Sequence, residues 1–433
     1  MYFERKGKVR HGDDMETLIE TPEGADKRQG WGALAGLRVL DLTQALAGPY
    51  CTQMLGDHGA DVVKIEPPVS GDLSRTTGPF HAADTRHLNS GYFHSINRNK
   101  RSIVVDLKKP EGRDMVLEMI PQFDVIVENY RSGVMDRLGL AYEVLRERNP
   151  RLVYAAVRGF GDPRSGESPY SDWPAFDVVA QAMGGIVGIT GPGADEPTKI
   201  GPGVGDIIPA LYLTIGVLAA VLKARETGKG QFVDVSMVDA VLATTERISN
   251  QWFFGKVVAR PEGNFHPLMS PFGIYPAKDG HIAIACVSQA FFRTFCEELG
   301  APELPDMPAY GSQRARAVVG RELDLIVADL TVRYTRAELT EKLGGRIPYG
   351  PVYTMVEISQ DPHFAARDML VPVAVPGIPE EMRLVGVPIK LSETPGRVTR
   401  CGPGQGEHTQ EVLTRAGFSA EQIAAWREGG VIR

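Results

Sequence analysis

Short apolar runs alternate with longer mixed stretches along the first half of the chain. Residues 37–42 (LRVLDL), 61–66 (DVVKIE), 102–106, 124–128 and 151–157 are mostly apolar, as strands buried on both faces are. Between them, 48–55, 112–120 and 142–148 read as helices, and Pro110 and Pro121 bracket the second where proline starts or stops a helix. This alternation predicts a parallel α/β sheet with a Rossmann-like layout. From Asp177 the pattern turns helical, with a glycine break at Gly201-Pro202-Gly203-Val204-Gly205. A long apolar helix over 207–224 follows, stopped by Thr227-Gly228-Lys229-Gly230, then a strand at 231–235 and a helix after Met237. Further on, 275–285 reads as a hairpin around Lys278-Asp279-Gly280, and 289–299, 314–330 and 336–343 read as helices. The stretch from about 356 reads as strand- and proline-rich.

The expected layout is a polar tail over 1–32, a large α/β domain over 33–224, a linker over 225–262, a smaller α+β domain over 263–355, and a segment over 356–433 that returns to the large domain. At 433 residues the chain is long enough for such a division.

Charge narrows the ligand. Lys+Arg is 47 against Asp+Glu 54, a formal net charge of −7, which disfavours a nucleic-acid partner but leaves room for a local site for a small anion. Cys51, Cys286, Cys296 and Cys401 lie far apart with no C-x-x-C pair, which points to a reducing compartment and no structural zinc. No apolar h-region occurs before Gly30, and the apolar stretch 207–222, interrupted by Pro209, Thr214 and Gly216, falls short of the ~20 residues of a membrane span. A soluble, cytoplasmic protein with no membrane partner is expected.

Several common chemistries lack their motifs. Neither a Walker A sequence nor G-x-G-x-x-G is present, and H-E-x-x-H and G-x-S-x-G are missing too. The candidates that remain are four. Asp206 stands between the glycine run and the apolar helix, where glycines permit close backbone approach and a helix N-terminus favours an ionised carboxylate. It reads as a nucleophile or as an N-cap. Asn97-Arg98-Asn99-Lys100-Arg101, with Lys108-Lys109, reads as a phosphate-holding patch or a solvated surface run. Glu128-Asn129-Tyr130-Arg131, followed by Arg137, sits at the carboxyl end of a strand, where open α/β sheets bind ligands. Asp177, ahead of Gly184-Gly185, is a second acid for Asp206 or a helix cap.

Taken in order, the stretches LRVLDLTQALAGP (37–49), GADVVKIE (59–66), NKRSIVVD (99–106), VIVENYRSGVMDR (125–137), DVVAQAMGG (177–185), VGD (204–206) and GKGQFVDV (228–235) resemble the class III CoA-transferase family, which includes formyl-CoA transferase and carnitine CoA-transferase. The resemblance runs from about residue 33 to about 395. It implies that Asp206 is the catalytic nucleophile, passing through an aspartyl anhydride and an aspartyl-CoA thioester. It implies CoA contacts at Ala45, Val105, Leu107, Lys108, Asn129 and Arg137, with Val105 and Leu107 near the adenine and Ala45 along the CoA path. Backbone N–H groups of the glycine run are candidate oxyanion donors. Acyl-CoA is then the substrate carrying CoA, no cofactor is permanently bound, and no metal is required. The partners are acyl-CoA, a small carboxylic acid and a second copy of the chain, in an interlocked homodimer.

The chain departs from the formyl-CoA branch at Leu46, where that branch has glutamine, and at Pro67, where it has a basic residue. The segment 264–270 also lacks the branch's glycine-rich loop. These departures point away from formate and oxalate. Gln44, Leu46, Asp177 and His266 are expected at the acyl substrate. Gln44 and His266, together with Arg75 and Arg98, are candidate clamps for a free carboxylate. A short dicarboxylate acceptor with succinyl-CoA as donor is the expected pair. The rivals are an α-methylacyl-CoA racemase, whose relatives carry His-Asp where this chain has Phe176-Asp177, and a non-catalytic CoA-binding protein.

Overall fold

The mostly apolar runs become the strands of one sheet. In the computed structural model, which describes residues 31–433, they are β1 (Arg38–Asp41), β2 (Asp61–Glu66), β3 (Arg101–Val104), β4 (Val125–Glu128), β5 (Val153–Arg158) and β6 (Phe232–Ser236). They form one six-stranded sheet in the order β3-β2-β1-β4-β5-β6. Every pairing is parallel, with Val39 opposite Val62 on one side and Val125 on the other. Two cores cover its faces. One gathers Leu40, Ile65, Ile103, Ile126 and Tyr154 with the Pro110–Met119 helix, the other Val39, Val62, Val127 and Ala155 with the Ala47–Asp57 and Val204–Thr227 helices. Of the polar tail expected over 1–32, residues 1–30 lie outside the described residues, and Trp31 and Gly32 pack against His58 and Gly59.

The Val204–Thr227 helix starts earlier than the sequence suggests, so Gly205 and Asp206 fall inside its first turn. Ala210, Leu213, Val217, Ala220 and Ala224 repeat at helical spacing and face the sheet. Leu213 and Val217 are fully buried, a contribution of roughly 1.5–3 kcal/mol each. By length and composition alone this helix could cross a membrane. In this fold one side of it is covered by protein, while Ile215 and Leu222 on the other are 63% and 69% exposed.

A second, antiparallel sheet comprises β7 (Phe265–His266), β8 (Met269–Ala277), β9 (Gly280–Ala285) and β10 (Tyr349–Pro351) in the order β10-β9-β8-β7. The β8–β9 hairpin closes on Lys278-Asp279, with Ala277 paired to Gly280. Helices Gln289–Glu298, Gly320–Thr331 and Arg336–Leu343 supply a separate core around Tyr275, Phe292 and Leu323. The single helix expected over 314–330 is two, Gln313–Val318 and Gly320–Thr331. The break falls at Val319-Gly320, and Arg316 turns inward there to donate to the Ser270 carbonyl at 2.9 Å.

The last stretch is less strand-rich than expected. It holds one hairpin, β11 (Leu370–Val373) with β12 (Met382–Val385), then helices Thr409–Ala416 and Ala420–Glu428. Val412, Leu413 and Ile423 join the core beneath β2 and β3. The free edge of β3 is covered from this side: Gly406 N–H donates to Ser102 Oγ at 2.9 Å, His408 N–H to the Ser102 carbonyl at 2.9 Å, and Val104 N–H to Thr409 Oγ1 at 3.2 Å. Val105 then bridges Ile432. Covering an edge in this way removes a template for aggregation.

Candidate active site

Strand order reverses between β1 and β4, because β1 leads outward to β2 and β4 outward to β5. The loops leaving their carboxyl ends diverge, and the crevice between them is where sheets of this kind take ligands. A cavity of ≈ 250 Å³ opens there, lined by Gln44–Ala47 after β1, Asn129–Ser132 after β4 and Val157–Gly159 at the end of β5. Ser171, Trp173 and Phe176 form one wall, and Asp206 reaches in from the Val204–Thr227 helix.

Asp206 is not an N-cap. Gly203 is the cap residue, and Asp206 sits in the first turn with its backbone N–H on the Gly203 carbonyl at 3.1 Å. Among the described residues its carboxylate has no hydrogen-bond donor. Burial first, and Asp177 second, push it up to about 7. The sequence reading expected the helix N-terminus to keep it ionised; desolvation and a second acid outweigh that effect here.

Asp177 likewise does not cap its own helix. Its Oδ1 accepts from Gly205 N–H at 2.8 Å, so it caps the Asp206 helix from outside, and Gln181 Nε2 donates to both its oxygens at 2.9 Å. A Cβ on Gly205 would meet the Asp177 carbonyl at 2.2 Å, which makes glycine necessary for this approach. A Cβ on Gly203 would meet Leu46 Cδ2 at 2.9 Å, so Leu46 packs directly on the turn that presents Asp206. Two N–H groups of the glycine run are already engaged: Val204 on the Pro202 carbonyl at 2.8 Å and Gly205 on Asp177 Oδ1 at 2.8 Å. These two are not free oxyanion donors, whereas the N–H groups of Gly201 and Gly203 have no partner among the described residues. The Ala47–Asp57 helix, which begins at the same cavity, has no side-chain cap, so the Ala47 and Gly48 N–H groups of its first turn are open as well.

Gln44, Ala45 and Leu46 all line the cavity, and Asn129 clamps this loop, accepting from Gln44 N–H at 2.9 Å and donating to the Gln44 carbonyl at 2.7 Å. Lys108 and Arg137 are exposed at the carboxyl side of β3 and β4, and neither has an acidic partner among the described residues. Arg137 Nη1 lies over Gly133, 3.2 Å from where a Cβ would stand. Leu107 is half-buried beside the core. Val105, expected at the adenine, has its side chain inside the core at 1% exposure, and its N–H is on the Glu66 carbonyl. Its side chain therefore faces the core and not the solvent.

His266 is not brought to Asp206. It lies on β7 in a different cleft of ≈ 900 Å³, shared with Arg247, Phe272 and Tyr349, and its Nδ1 accepts from Leu268 N–H at 3.1 Å. Arg75 and Arg98 are not free clamps either. Arg75 makes a two-point pair with Glu66 at 2.6 Å, and Arg98 pairs with Asp57 at 2.7 Å. The basic run 97–101 is neither a phosphate patch nor a surface face. Lys100 is buried on Asp41 at 3.0 Å, and Arg101 joins Asp61 at 2.6 Å and Glu411 at 2.8 Å. Acids on the neighbouring strands and helix draw each of these cations inward.

Sequence reasoning missed Leu73, Arg158 and the aromatic wall. Arg158 is pinned by Glu128, by Asp162 at 2.5 Å and by the Tyr130 carbonyl at 3.1 Å. The segment before Asp177 holds Tyr170, Trp173 and Phe176 among prolines, and that aromatic density was its available signal.

A family profile described as CoA-transferase family III matches residues 34–409. A succinyl-CoA:mesaconate CoA-transferase from Haloarcula hispanica is 43% identical over 388 residues, covering 89% of this chain and 97% of its own. A succinate–glutarate CoA-transferase from Agrobacterium fabrum is 36% identical over 392 residues, covering 88% of this chain and 94% of its own. Among solved structures, a CAIB/BAIF family protein from Brucella suis superimposes with a TM-score of 0.79 at 32% identity, over 89% of this chain and 100% of that one.

Proposed function

The chain belongs to CoA-transferase family III and is a class III CoA-transferase, and from that premise we propose that it moves CoA from succinyl-CoA to a short dicarboxylic acid through covalent intermediates on Asp206. The observation that carries this reading is the position of Asp206: a half-buried carboxylate, unpartnered among the described residues, at the switch-point cavity between the Gln44–Ala47 and Asn129–Ser132 loops. The relatives named for succinyl-CoA and for dicarboxylates support the choice of substrates.

In the proposed sequence the ionised Asp206 carboxylate attacks the thioester carbonyl. A C–O bond forms, the C–S bond breaks, and CoA leaves as the thiolate. The thiolate attacks the aspartyl carbonyl of the mixed anhydride, releasing succinate and leaving an aspartyl-CoA thioester. The acceptor carboxylate then attacks that thioester, expelling CoA thiolate and forming a second anhydride. Return of the thiolate to the acceptor's carbonyl gives the new CoA ester and restores Asp206. Each step needs an ionised carboxylate or a thiolate and no proton transfer, so neither a metal nor a resident cofactor is required. The open N–H groups of the Ala47–Asp57 helix are suited to the oxyanion that develops at each tetrahedral stage. Lys108 and Arg137, free of acidic partners among the described residues, are suited to the phosphates of CoA.

A homodimer belongs to the same proposal. Phe253, Phe254 and Val258 are 68%, 90% and 64% exposed at and just after the end of the Glu246–Gly255 helix, apolar surface of the kind monomers rarely leave open. Sedimentation of the purified protein tests it, and a stable monomer refutes it. A cytoplasmic location fits the four cysteines, which are all buried and free.

The function is tested by incubating the enzyme with succinyl-CoA and hydroxylamine and locating the hydroxamate by mass spectrometry. Capture at Asp206, together with CoA exchange across a panel of dicarboxylic acids, is the expected result. Exchange of an α-proton in deuterated water without capture would instead identify a racemase. Exchange with carnitine-like or aromatic acids alone would overturn the substrate assignment.

A further inference from the structure

The loop that forms one wall of the Asp206 cavity is held by buried side chains, residue by residue. Thr43 N–H donates to Asp41 Oδ1 at 2.8 Å, and the Thr43 carbonyl accepts from Lys64 Nζ at 2.6 Å. Gln44 is clamped by Asn129 at 2.9 and 2.7 Å. Ala45 N–H donates to Asp72 Oδ1 at 3.1 Å. Ala45 has a φ of 65°, in the left-handed region that a residue with a Cβ adopts only when its surroundings impose it. Directly after it, Leu46 packs on Gly203 in the turn that presents Asp206.

Asp72 is itself rigid. It is 0% exposed, its Oδ2 meets Lys64 Nζ at 2.7 Å, and its Oδ1 also accepts from Ser74 N–H at 2.8 Å and Ser74 Oγ at 2.7 Å. Its own N–H is on Glu66 Oε2 at 3.0 Å. A single ammonium thus ties two points of the wall together: Lys64 holds Thr43 directly and Ala45 through Asp72. The sequence offers no glycine at position 45 to take this conformation without help.

We propose that Asp72, oriented by Lys64, is a positioning residue for CoA transfer, fixing Ala45 in its left-handed conformation so that the Gln44–Ala47 wall stands ready to receive the acyl-CoA thioester. This rests on the reading of the Asp206 cavity as the acyl-transfer site. Asp72 does not touch the reacting atoms. Its effect passes through the shape of the wall, so loosening it lowers the fraction of enzyme ready to bind. The loss therefore falls in KM for acyl-CoA rather than in kcat.

The test is a set of variants measured for kcat and KM with succinyl-CoA, beside their melting temperatures. Asp72→Asn raises KM about tenfold, the scale of one weakened buried hydrogen bond. Adding Ala45→Gly to Asp72→Asn brings KM back toward wild type, because glycine takes a positive φ without an anchor. Where Asp72→Asn fails to fold, Ala45→Val, a half-buried change that leaves the ion pair intact, carries the test: a β-branched residue resists this conformation, so KM rises with little change in melting temperature. A melting temperature that falls while KM stays at the wild-type value, or an Asp72→Asn defect that Ala45→Gly leaves untouched, would show a structural role only and overturn the proposal. Wild-type enzyme without any CoA exchange would instead refute the transferase reading itself, so the two failures are distinct.

Discussion

Two sets of buried acids stand at the carboxyl end of the same sheet, and they are treated in opposite ways. Asp41 loses solvation, which pushes its carboxyl up, but Lys100, Lys64 and the hydroxyls of Thr43 and Thr52 together hold it well below the ordinary range. Asp206 also loses solvation, but it gains only another acid, Asp177, and is pushed up to about 7. Both are aspartates that lose solvation, Asp41 fully buried and Asp206 half-buried, and what sets them apart is their neighbours. A carboxylate that organises the fold is paired on every side; one suited to forming and breaking covalent bonds is left without partners.

The largest break in this contrast comes from removing the reactive oxygen. Asp206→Asn is expected to reduce CoA exchange by roughly 10⁴-fold or more, in a preparation shown by mass spectrometry to be free of deamidation, with little loss of folded protein. The reverse holds on the paired side. Lys100→Met leaves the buried Asp41 with one cation fewer and should cost about 3–5 kcal/mol of stability in denaturant titration. Adding Asp41→Asn should return part of that loss, since the uncompensated charge is then gone as well.

The next effect is on pH. An aspartate with a folded value of about 7 is protonated and unreactive below it, so kcat/KM for acyl-CoA should rise with pH through about 7. Asp177→Asn removes the neighbouring charge, and the rise should move to lower pH. The smallest effect is on stability. Asp206 holds its proton in the folded state at pH values where the unfolded chain has lost it, so it destabilises the fold increasingly as pH rises from about 4 to about 7. The melting temperature of Asp206→Asn relative to wild type should therefore climb across that window and level off above it. A flat difference would show that Asp206 is not raised.

Much of the sheet was legible because its strands are short and almost wholly apolar. Residues 61–66 were read with the bounds the strand has, and the helix over 142–148 likewise. Local signals sufficed because flanking Gly, Pro and charged residues mark each end. The glycine run before an apolar helix marks the turn that carries Asp206 to the cavity, but on its own it reads equally as an N-cap, and only the resemblance implies a nucleophile there. What the sequence obscured was the fate of charge. The run Arg98-Asn99-Lys100-Arg101 has the look of a solvated or phosphate-binding face, and nothing local reveals that Asp57, Asp41 and Asp61 come from other elements to bury it. His266 is expected beside Asp206 as a clamp for a free carboxylate, and β7 carries it to another cleft. The helices after 405 were missed although their signals were present: Val412 and Leu413 lie on one face, and Ser419 with Gln422 forms a capping box.

The seal on the outer edge of β3 has a consequence for biosynthesis. The strand is made early, while Gly406, His408, Thr409 and Ile432, which close it, emerge some three hundred residues later. Through that interval a nascent chain carries an unclosed sheet margin and must keep it from pairing with neighbours on the same polysome. Contacts of such long sequence separation also make maturation slow. Overproduction that crowds ribosomes is therefore the circumstance in which this protein should be most prone to enter inclusion bodies.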